Sequence, residues 1–424
     1  MGIKETLEYI HSVKWQGSKP GLHRTRQLLS ELGNPEKKLK FVHIAGTNGK
    51  GSTAAYTASV LKQAGYKTGL YTSPYILCFN ERIQVNGEHI SDQELEDMVE
   101  QIRPVADAME DSPTEFELIT ALGFMYFLHK NCDIVVLEVG MGGELDSTNV
   151  IDAPEVAVIT TIGFDHVKEL GPKITDIASA KAGIIKNGCD VVVYRGLDEV
   201  EKVFEDVCRE KHANLIKTDF GRISDEQYAL SGISFVLEPY GRITLRLSGS
   251  YQPYNATVAV TALEQLRRKG YFITDEHIIT GLAQAFWPGR FEILGHMPVF
   301  ILDGAHNPQA VEVTALSLKH NFPNKKITFV VGVMEDKDVD SMIKYIAPIA
   351  KRFIAVRPDY VRAMEERALA EKLQVYGLPV SSYGTVSAGV ADALDGACEE
   401  DVICAVGSLY FSADIRAAYN ELSK

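Results

Sequence analysis

The chain is poor in cysteine: six in 424 residues, at 78, 132, 189, 208, 398 and 404, with no CxxC pair. That scatter argues against a disulfide framework and suits a reducing compartment. Positive charge is also short. Lys and Arg number 43 against 57 Asp and Glu, and a net charge of −14 repels nucleic acid and anionic membrane. A polyanionic ligand must therefore be drawn by local basic groups and metal ions. No apolar run is long enough to span a bilayer, and the opening MGIKETLEYIHS lacks the apolar core of a signal peptide. Met1, Gly2 and Thr6 fit the loose myristoylation pattern, which many unmodified chains also match, and the fit is read as chance. Internal repeats and low-complexity segments are lacking too. The expectation is a cytoplasmic monomer with small-molecule partners and neither nucleic acid nor membrane as a partner.

What is present is a core. With 46% hydrophobic residues over 424 positions the chain is too long for one ordinary domain, and two are expected. Strand-like and helix-like segments alternate almost throughout: FVHIA, TGLYTS, a helix opened by Ser91 with Glu94 as capping-box partner, the helix TEFELITALGFMYFLHK, then DIVVLEVG. The pattern predicts an α/β protein, a mostly parallel sheet with helices on both faces and a P-loop-like turn. SFVLEPYGRITLRLSG reads as a hairpin added to this first domain. A second alternating series runs through VFILDGAH, KITFVVGV, RFIAVR and DVICAVGS, predicting a smaller Rossmann-like domain. The boundary is placed near Gly295 to Pro298, giving domains 1–295 and 296–424.

HIAGTNGKGSTAAY, from His43 to Tyr56, joins a short buried strand to a helix through three glycines. Gly46, Gly49 and Gly51 let backbone N–H groups turn inward, the helix start adds partial positive charge, and Lys50 adds a full one. An anion with several oxygens fits. Gly51 separates Lys50 from Ser52, so the strict GxxxxGK[ST] spacing is not met, though the physics is kept. The plain alternative is a glycine turn with an exposed lysine.

In open α/β sheets ligands gather beyond the carboxyl ends of the strands. There DIVVLEV carries Glu138 among apolar neighbours, where a charged carboxylate needs a cation, and Mg²⁺ beside a triphosphate would serve. VAVITTIG runs into Phe164, Asp165 and His166, and TGLYTS ends in Ser73, whose hydroxyl suits a hard cation. An exposed glutamate and a satisfied loop histidine are the alternatives.

Taken together, GTNGKGS at 46–52, SPYILCFNERI at 73–83, TEFELITA at 114–121, LEVGMGGELDSTN at 137–149, FDHVKELG at 164–171, KAGIIK at 181–186, PGRFE at 288–292, LDGAHNP at 302–308 and GSLY at 407–410 resemble the folylpolyglutamate synthase family of amide ligases, relatives of the Mur ligases. The resemblance implies transfer of the ATP γ-phosphate to the γ-carboxylate of a folate, giving an acyl phosphate that the amine of L-glutamate attacks. By motif, Gly46, Thr47, Asn48, Gly49, Lys50, Gly51 and Ser52 resemble the phosphate-binding loop. Ser73 and Glu138 resemble ligands of one Mg²⁺, and His166 and Lys181 of a second. Lys181 matches a lysine that is N6-carboxylated in the family, which turns an ammonium into an anion able to bind metal. The bare sequence reads it as a helix-surface lysine. The resemblance also leaves room for a monovalent cation.

Asn255, Arg290 and Asp303 resemble adenine, phosphate and ribose contacts, which would put ATP between the domains with their motion gating the reaction. His306 and Ser408 resemble residues near the incoming glutamate, with capping of a helix or strand end as the alternative. Thr114, Glu115 and Phe116, with Leu145, Asp146 and Ser147, fall where the pterin-bearing substrate would lie, and Phe79 and Arg82 sit on a loop that could close over it. Lys50, His166, Lys181 and His306 are the expected catalytic groups.

Two departures stand out. Glu144 and Ala180 occupy positions where many members have arginine and glutamate, a pair whose joint loss leaves no buried charge. In the early substrate loop, GSKPGL with Lys19 and Pro20 replaces the acidic residue often found in members that make dihydrofolate, which speaks against dihydrofolate synthase activity and leaves chain extension untouched. Two other readings stay open: a Mur-type ligase for another carboxylated acceptor, and a binding protein switched by ATP.

Overall fold

The computed structural model describes residues 2–12 and 21–423. Lys19 and Pro20, on which the reading of the early substrate loop rests, lie outside the described residues. By their contacts the residues form two compact units, one of 1–75, 79–222 and 254–285, the other of 76–78, 223–253 and 286–424. Among the described residues no helix is long and apolar enough to cross a membrane.

The first unit is built on eight strands: β1 Phe41–Ala45, β2 Thr68–Tyr71, β3 Ile83–Val85, β4 Glu88–His89, β5 Ile134–Glu138, β6 Val156–Ile159, β7 Asp190–Val193 and β8 Asn214–Lys217. Their order is β4-β3-β2-β5-β1-β6-β7-β8. From β2 to β8 the neighbours are parallel, and β3 and β4 add an antiparallel edge. The central strands are buried along their whole length, as a sheet covered on both faces requires. From β1 the chain winds first toward β2 and later toward β6, so the carboxyl ends of these strands lie where the winding reverses and a crevice opens.

Two helices show how the sequence fixes this layer. Glu115–His129 is buried on nearly every side, so its first N–H groups cannot rely on water. Thr114 accepts from the Glu117 N–H and the Glu117 carboxylate accepts from the Thr114 N–H at 2.7 Å, a capping box in a helix that sequence reading had given only its extent. Arg24 closes the arrangement with two 3.0 Å bonds to the Glu117 carboxylate. Asp92–Ala108 begins at Ser91 with the expected Glu94 capping box.

The second unit holds the antiparallel sheet β9 Ile223–Ala229, β10 Gly232–Leu237 and β11 Gly241–Leu245, and a six-stranded sheet of β12 Glu292–His296, β13 Val299–Asp303, β14 Ile327–Val331, β15 Ala350–Val356, β16 Val380–Tyr383 and β17 Val402–Val406. The six run β12-β13-β17-β14-β15-β16, parallel except for the β12–β13 pair. By its contacts the hairpin segment, expected as an addition to the first domain, groups with the second unit. The boundary expected at Gly295 to Pro298 falls inside the β12–β13 hairpin, whose strands pair from Glu292↔Leu302 to His296↔Val299. Glycine and proline punctuate tight turns as they do linkers, and the sequence alone did not separate the two. The contacts place the division between Ala285 and Phe286.

Candidate active site

The glycine loop after β1 is held by the ends of β1 and β6. Thr47 donates its N–H to the Thr161 carbonyl at 2.7 Å, and the Asn48 carbonyl accepts from the hydroxyls of Thr160 at 2.8 Å and Thr161 at 3.1 Å. The Thr47 hydroxyl bridges to Gly163, donating to its carbonyl and accepting from its N–H, both at 3.1 Å. Gly46, at φ 147°, leaves no room for a side chain: a Cβ would lie 1.8 Å from the Thr160 hydroxyl. Gly49, at φ 87°, caps the helix Lys50–Gln63, and a Cβ there would lie 2.6 Å from the Asn255 carboxamide oxygen. Asn255 thus packs directly on the loop. Gly51 and Ser52 are buried in the first helical turn.

Two cations meet on this loop. The Lys50 Nζ donates to the Gly46 carbonyl at 3.0 Å and the Thr47 carbonyl at 3.2 Å, and the Lys181 Nζ donates to the same Gly46 carbonyl at 2.9 Å. Lys181 ends the helix Ile174–Ala182 and is 5% exposed, so the surface position suggested by bare sequence is corrected. Burial first, and the Lys50 charge second, pull its pKa down to about 7 against the opposing pull of Asp165 and Asp146.

Beyond β2 and β5, the Ser73 N–H donates to the Glu138 carboxylate at 3.2 Å, and Glu138 is 4% exposed. The Ser73 hydroxyl accepts from the Arg82 guanidinium at 3.1 Å, and that guanidinium lies over the rings of Tyr75 and Phe79, 5.1 and 5.8 Å from their centroids. Asp165 accepts from the His166 N–H at 2.9 Å, and His166 adopts φ 50° at the start of the short helix Val167–Leu170. Among the described residues no group of three or more His, Cys, Asp or Glu side chains converges as a metal cage.

The loop after β5 packs against the start of the helix Glu115–His129. The Phe116 ring covers Gly140, where a Cβ would be 2.5 Å from it, and Glu115 meets His11 at 3.1 Å. Asp146 is buried: it accepts from the Met141 N–H at 2.8 Å, the Thr148 N–H at 3.0 Å and the Thr148 hydroxyl at 2.5 Å. Burial raises its pKa and these bonds oppose the rise. Ser147 is buried beside it, whereas Leu145 is 54% exposed. The two departing positions are neighbours in the fold: Glu144 donates its N–H to the Ala180 carbonyl at 2.9 Å, and its own backbone lies against Gly183.

In the second unit, Asp303 ends β13 and takes N–H donors from Ala305 at 2.8 Å and Phe291 at 2.9 Å and the Tyr251 hydroxyl at 3.3 Å. Its burial raises its pKa and the Arg290 charge lowers it. His306 Nδ1 donates to the Gly304 carbonyl at 2.8 Å, and Ser408 accepts from the Tyr410 N–H at 3.0 Å, so Ser408 does cap a turn. Capping of the helix Pro308–Asn321 falls to Asn307, which accepts from the Ala310 N–H at 2.9 Å. Sequence reasoning missed Asn307, Tyr251 and, in the first unit, Thr160 and Thr148. A polar residue at a strand end or one before a proline was the signal available.

A glycine loop after the first strand of a parallel sheet, with two lysines on it, has the make of a cradle for nucleotide phosphates, and the class of protein it serves is that of the Mur ligases. In keeping with this, the Mur ligase middle domain family matches residues 44–263 and the Mur ligase glutamate ligase domain family matches 289–409. The dihydrofolate synthase/folylpolyglutamate synthase of Bacillus subtilis is 39% identical over 97% of this chain and 98% of its own, and the folylpolyglutamate synthase of Lacticaseibacillus casei is 36% identical over 98% of each. A crystal structure of Mycobacterium tuberculosis folylpolyglutamate synthase complexed with ADP and AMPPCP superposes with a TM-score of 0.90 at 29% identity, covering 100% of this chain and 99% of that one. Escherichia coli FolC in complex with DHPP and ADP gives 0.88 at 28%, over 100% and 99%. The chain belongs to the folylpolyglutamate synthase family of Mur ligases.

Proposed function

We propose that this protein joins L-glutamate to the γ-carboxylate of a folate or folylpolyglutamate at the expense of ATP. The observation that carries this reading is the convergence of Lys50 and Lys181 on the Gly46 carbonyl, inside a loop shaped for phosphate. A carboxylate is a poor acyl donor, so its oxygen attacks the γ-phosphorus and ADP departs. The glutamate amine then attacks the acyl carbon, inorganic phosphate leaves, and the amine loses a proton. Bringing two anions together demands fixed positive charge at the transferring group. Lys50 supplies it by exchanging the carbonyls of Gly46 and Thr47 for phosphate oxygens, with Gly49, Gly51 and Ser52 offering the first N–H groups of the helix.

The Ser73–Glu138 pair fits Mg²⁺: a hydroxyl and a buried carboxylate, adjacent, both hard oxygen donors. The lack of a larger acidic cage among the described residues suits an ion that keeps water and phosphate as its remaining ligands. Bound there, Mg²⁺ supplies charge to the oxygens of the phosphoryl group. His166 and Lys181 are assigned to a second site, Lys181 as its carbamate. A buried amine held near neutrality reacts with CO₂ as an ordinary surface lysine does not. Asn255, Arg290 and Asp303 are assigned to nucleotide, His306 and Ser408 to glutamate. Thr114, Glu115, Phe116, Leu145, Asp146, Ser147, Phe79 and Arg82 are assigned to the folate. The free cysteines accord with a reducing, cytoplasmic setting, and the enzyme is assigned as a monomer.

The test is ADP release by the purified protein given ATP, glutamate and a panel of pteroates and folates. Release is expected only with a folate and glutamate together. Turnover without either overturns the ligase, and turnover with dihydropteroate adds the dihydrofolate synthase activity that the names of several relatives carry.

A further inference from the structure

His43 is the one polar side chain on β1, three residues before the glycine loop, and it is fully buried. Its Nε2 lies 2.9 Å from the Thr148 hydroxyl, and that hydroxyl lies 2.5 Å from an Asp146 carboxylate oxygen. A hydroxyl has one proton to give. Every other group bonded to Asp146 is a backbone N–H, of Met141, Thr148 and Gly140, so the carboxyl is ringed by donors and serves as an acceptor at both oxygens. The Thr148 proton therefore goes to Asp146, and Thr148 must accept from His43. This fixes the ring as the Nε2–H tautomer and leaves Nδ1 as a bare lone pair, which is buried without a hydrogen-bond partner. A charged ring would need an acceptor at Nδ1 as well. Burial, seconded by the Lys186 charge, drives the pKa of His43 down to about 3, and the ring stays neutral through the working range of pH.

An apolar residue at this place would leave no orphan nitrogen and would suit the strand better. The histidine is intelligible by what it orients. We propose that His43 and Thr148 are positioning residues of the ligase, a buried relay from β1 that fixes the direction of the Asp146 carboxylate toward the substrate. This rests on the reading of Asp146 as a folate-side residue. The relay ties the strand feeding the phosphate loop to the loop that holds the acceptor, so the two reacting ends share one rigid support.

Steady-state kinetics test it with paired variants. Thr148→Val keeps the shape and removes the relay, and is expected to raise the folate KM about tenfold while the KM values for ATP and glutamate move less than about twofold. Thr148→Ser restores the hydroxyl and the wild-type KM. His43→Leu follows the valine variant in direction, His43→Gln recovers most of the loss through its amide N–H, and combining His43→Leu with Thr148→Val adds little, as for two links of one chain. Equal losses for all three substrates, no rescue by serine, or additive effects overturn the relay. Asp146→Asn separates the two readings. If it raises the folate KM while Thr148→Val does not, Asp146 stands and the relay falls; if it leaves the folate KM alone, both fall. A measurement on the unmutated protein guards against misfolded variants: ¹⁵N-histidine spectra should show one neutral Nε2–H ring that resists protonation to the acid unfolding point, and an Nδ1–H ring overturns the proposal.

Discussion

Two strand–loop–helix joints, one in each unit, are built on the same plan and finished in opposite ways. In each, the first strand runs through a glycine-containing turn into a helix, and a later strand is inserted beside it: β5 between β1 and β2, β17 between β13 and β14. After β1 the helix cap is Gly49, which has no side chain to spend on the helix, and two lysines gather at the Gly46 carbonyl. After β13 the cap is Asn307, which occupies the Ala310 N–H with its own side chain, and the strand ends in Asp303, a carboxylate holding three donors. A helix N-terminus attracts anions wherever it occurs. Whether it receives one from outside depends on whether the chain has already supplied an acceptor. At the first joint the cap residue offers the helix start no side-chain acceptor, whereas at the second Asn307 takes the Ala310 N–H itself.

The largest break in that contrast comes from Lys50→Ala. Removing the one full cation on the helix start is expected to cut ADP release by about 10²-fold or more, the usual scale for losing a preorganised partner of a developing charge. Near-normal turnover would reduce the first joint to a plain turn. Gly49→Ala attacks the same joint through its backbone. The left-handed φ costs about 1–2 kcal/mol for a residue with a Cβ, and that carbon would meet Asn255 at 2.6 Å, so stability and turnover should fall together in thermal melts and assays.

Lys181 sharpens the comparison through pH. In the unfolded chain its ammonium titrates near 10.5, in the fold near 7. Below about pH 7 both states carry the proton and the cost of burying it is borne in full. Between the two values the folded amine is neutral and the unfolded one charged, so unfolding takes up a proton and stability rises with pH. Lys181→Met should therefore raise the stability in CO₂-free buffer, by about a few kcal/mol at most near pH 7, with a higher melting temperature, and the gain should fade toward pH 10.5. It should also abolish ligation. No gain at all would mean the lysine is solvated, and a gain that is flat with pH would mean that it does not come from the ammonium. As a further check, Lys181→Ala should be nearly inactive and partly restored by short carboxylic acids that fill the vacated space.

Much of this was legible in the sequence, for reasons that can be named. Phe41–Ala45 and Ile134–Glu138 declared themselves as buried strands because parallel strands covered on both faces are nearly continuous apolar runs, here broken only by His43 and the terminal Glu138. Ser91 and Glu94 declared a helix start through a capping box, a local device three residues long. What failed was non-local. The segment from Gly232 to Leu245 gave its hairpin but not its unit, since membership depends on contacts with residues far along the chain. Gly295 and Pro298 looked like a linker because a hairpin turn uses the same residues. Lys181 carries no sign of burial in ASAKAGI, because the residues that cover it come from the loop after β1. His43 was invisible among apolar neighbours until Thr148, distant in sequence, was placed against it.

The smallest effect tests the cap of the second joint. Asn307→Ala removes the acceptor for the Ala310 N–H and leaves a partly buried donor at the start of Pro308–Asn321. Loss of such a cap costs about 1 kcal/mol, or a few degrees in melting temperature for a unit of this size. Asn307→Ser keeps an oxygen in reach and should recover most of the loss, since serine caps nearly as well as asparagine. Turnover per folded molecule should fall less than tenfold, far short of the Lys50→Ala loss, because the side chain is spent on the helix. The pair of measurements can be read against each other: if Asn307→Ala instead cut ADP release as deeply as Lys50→Ala while the melting temperature held, the Asn307 side chain would be at work in the reaction itself and not spent on the helix cap.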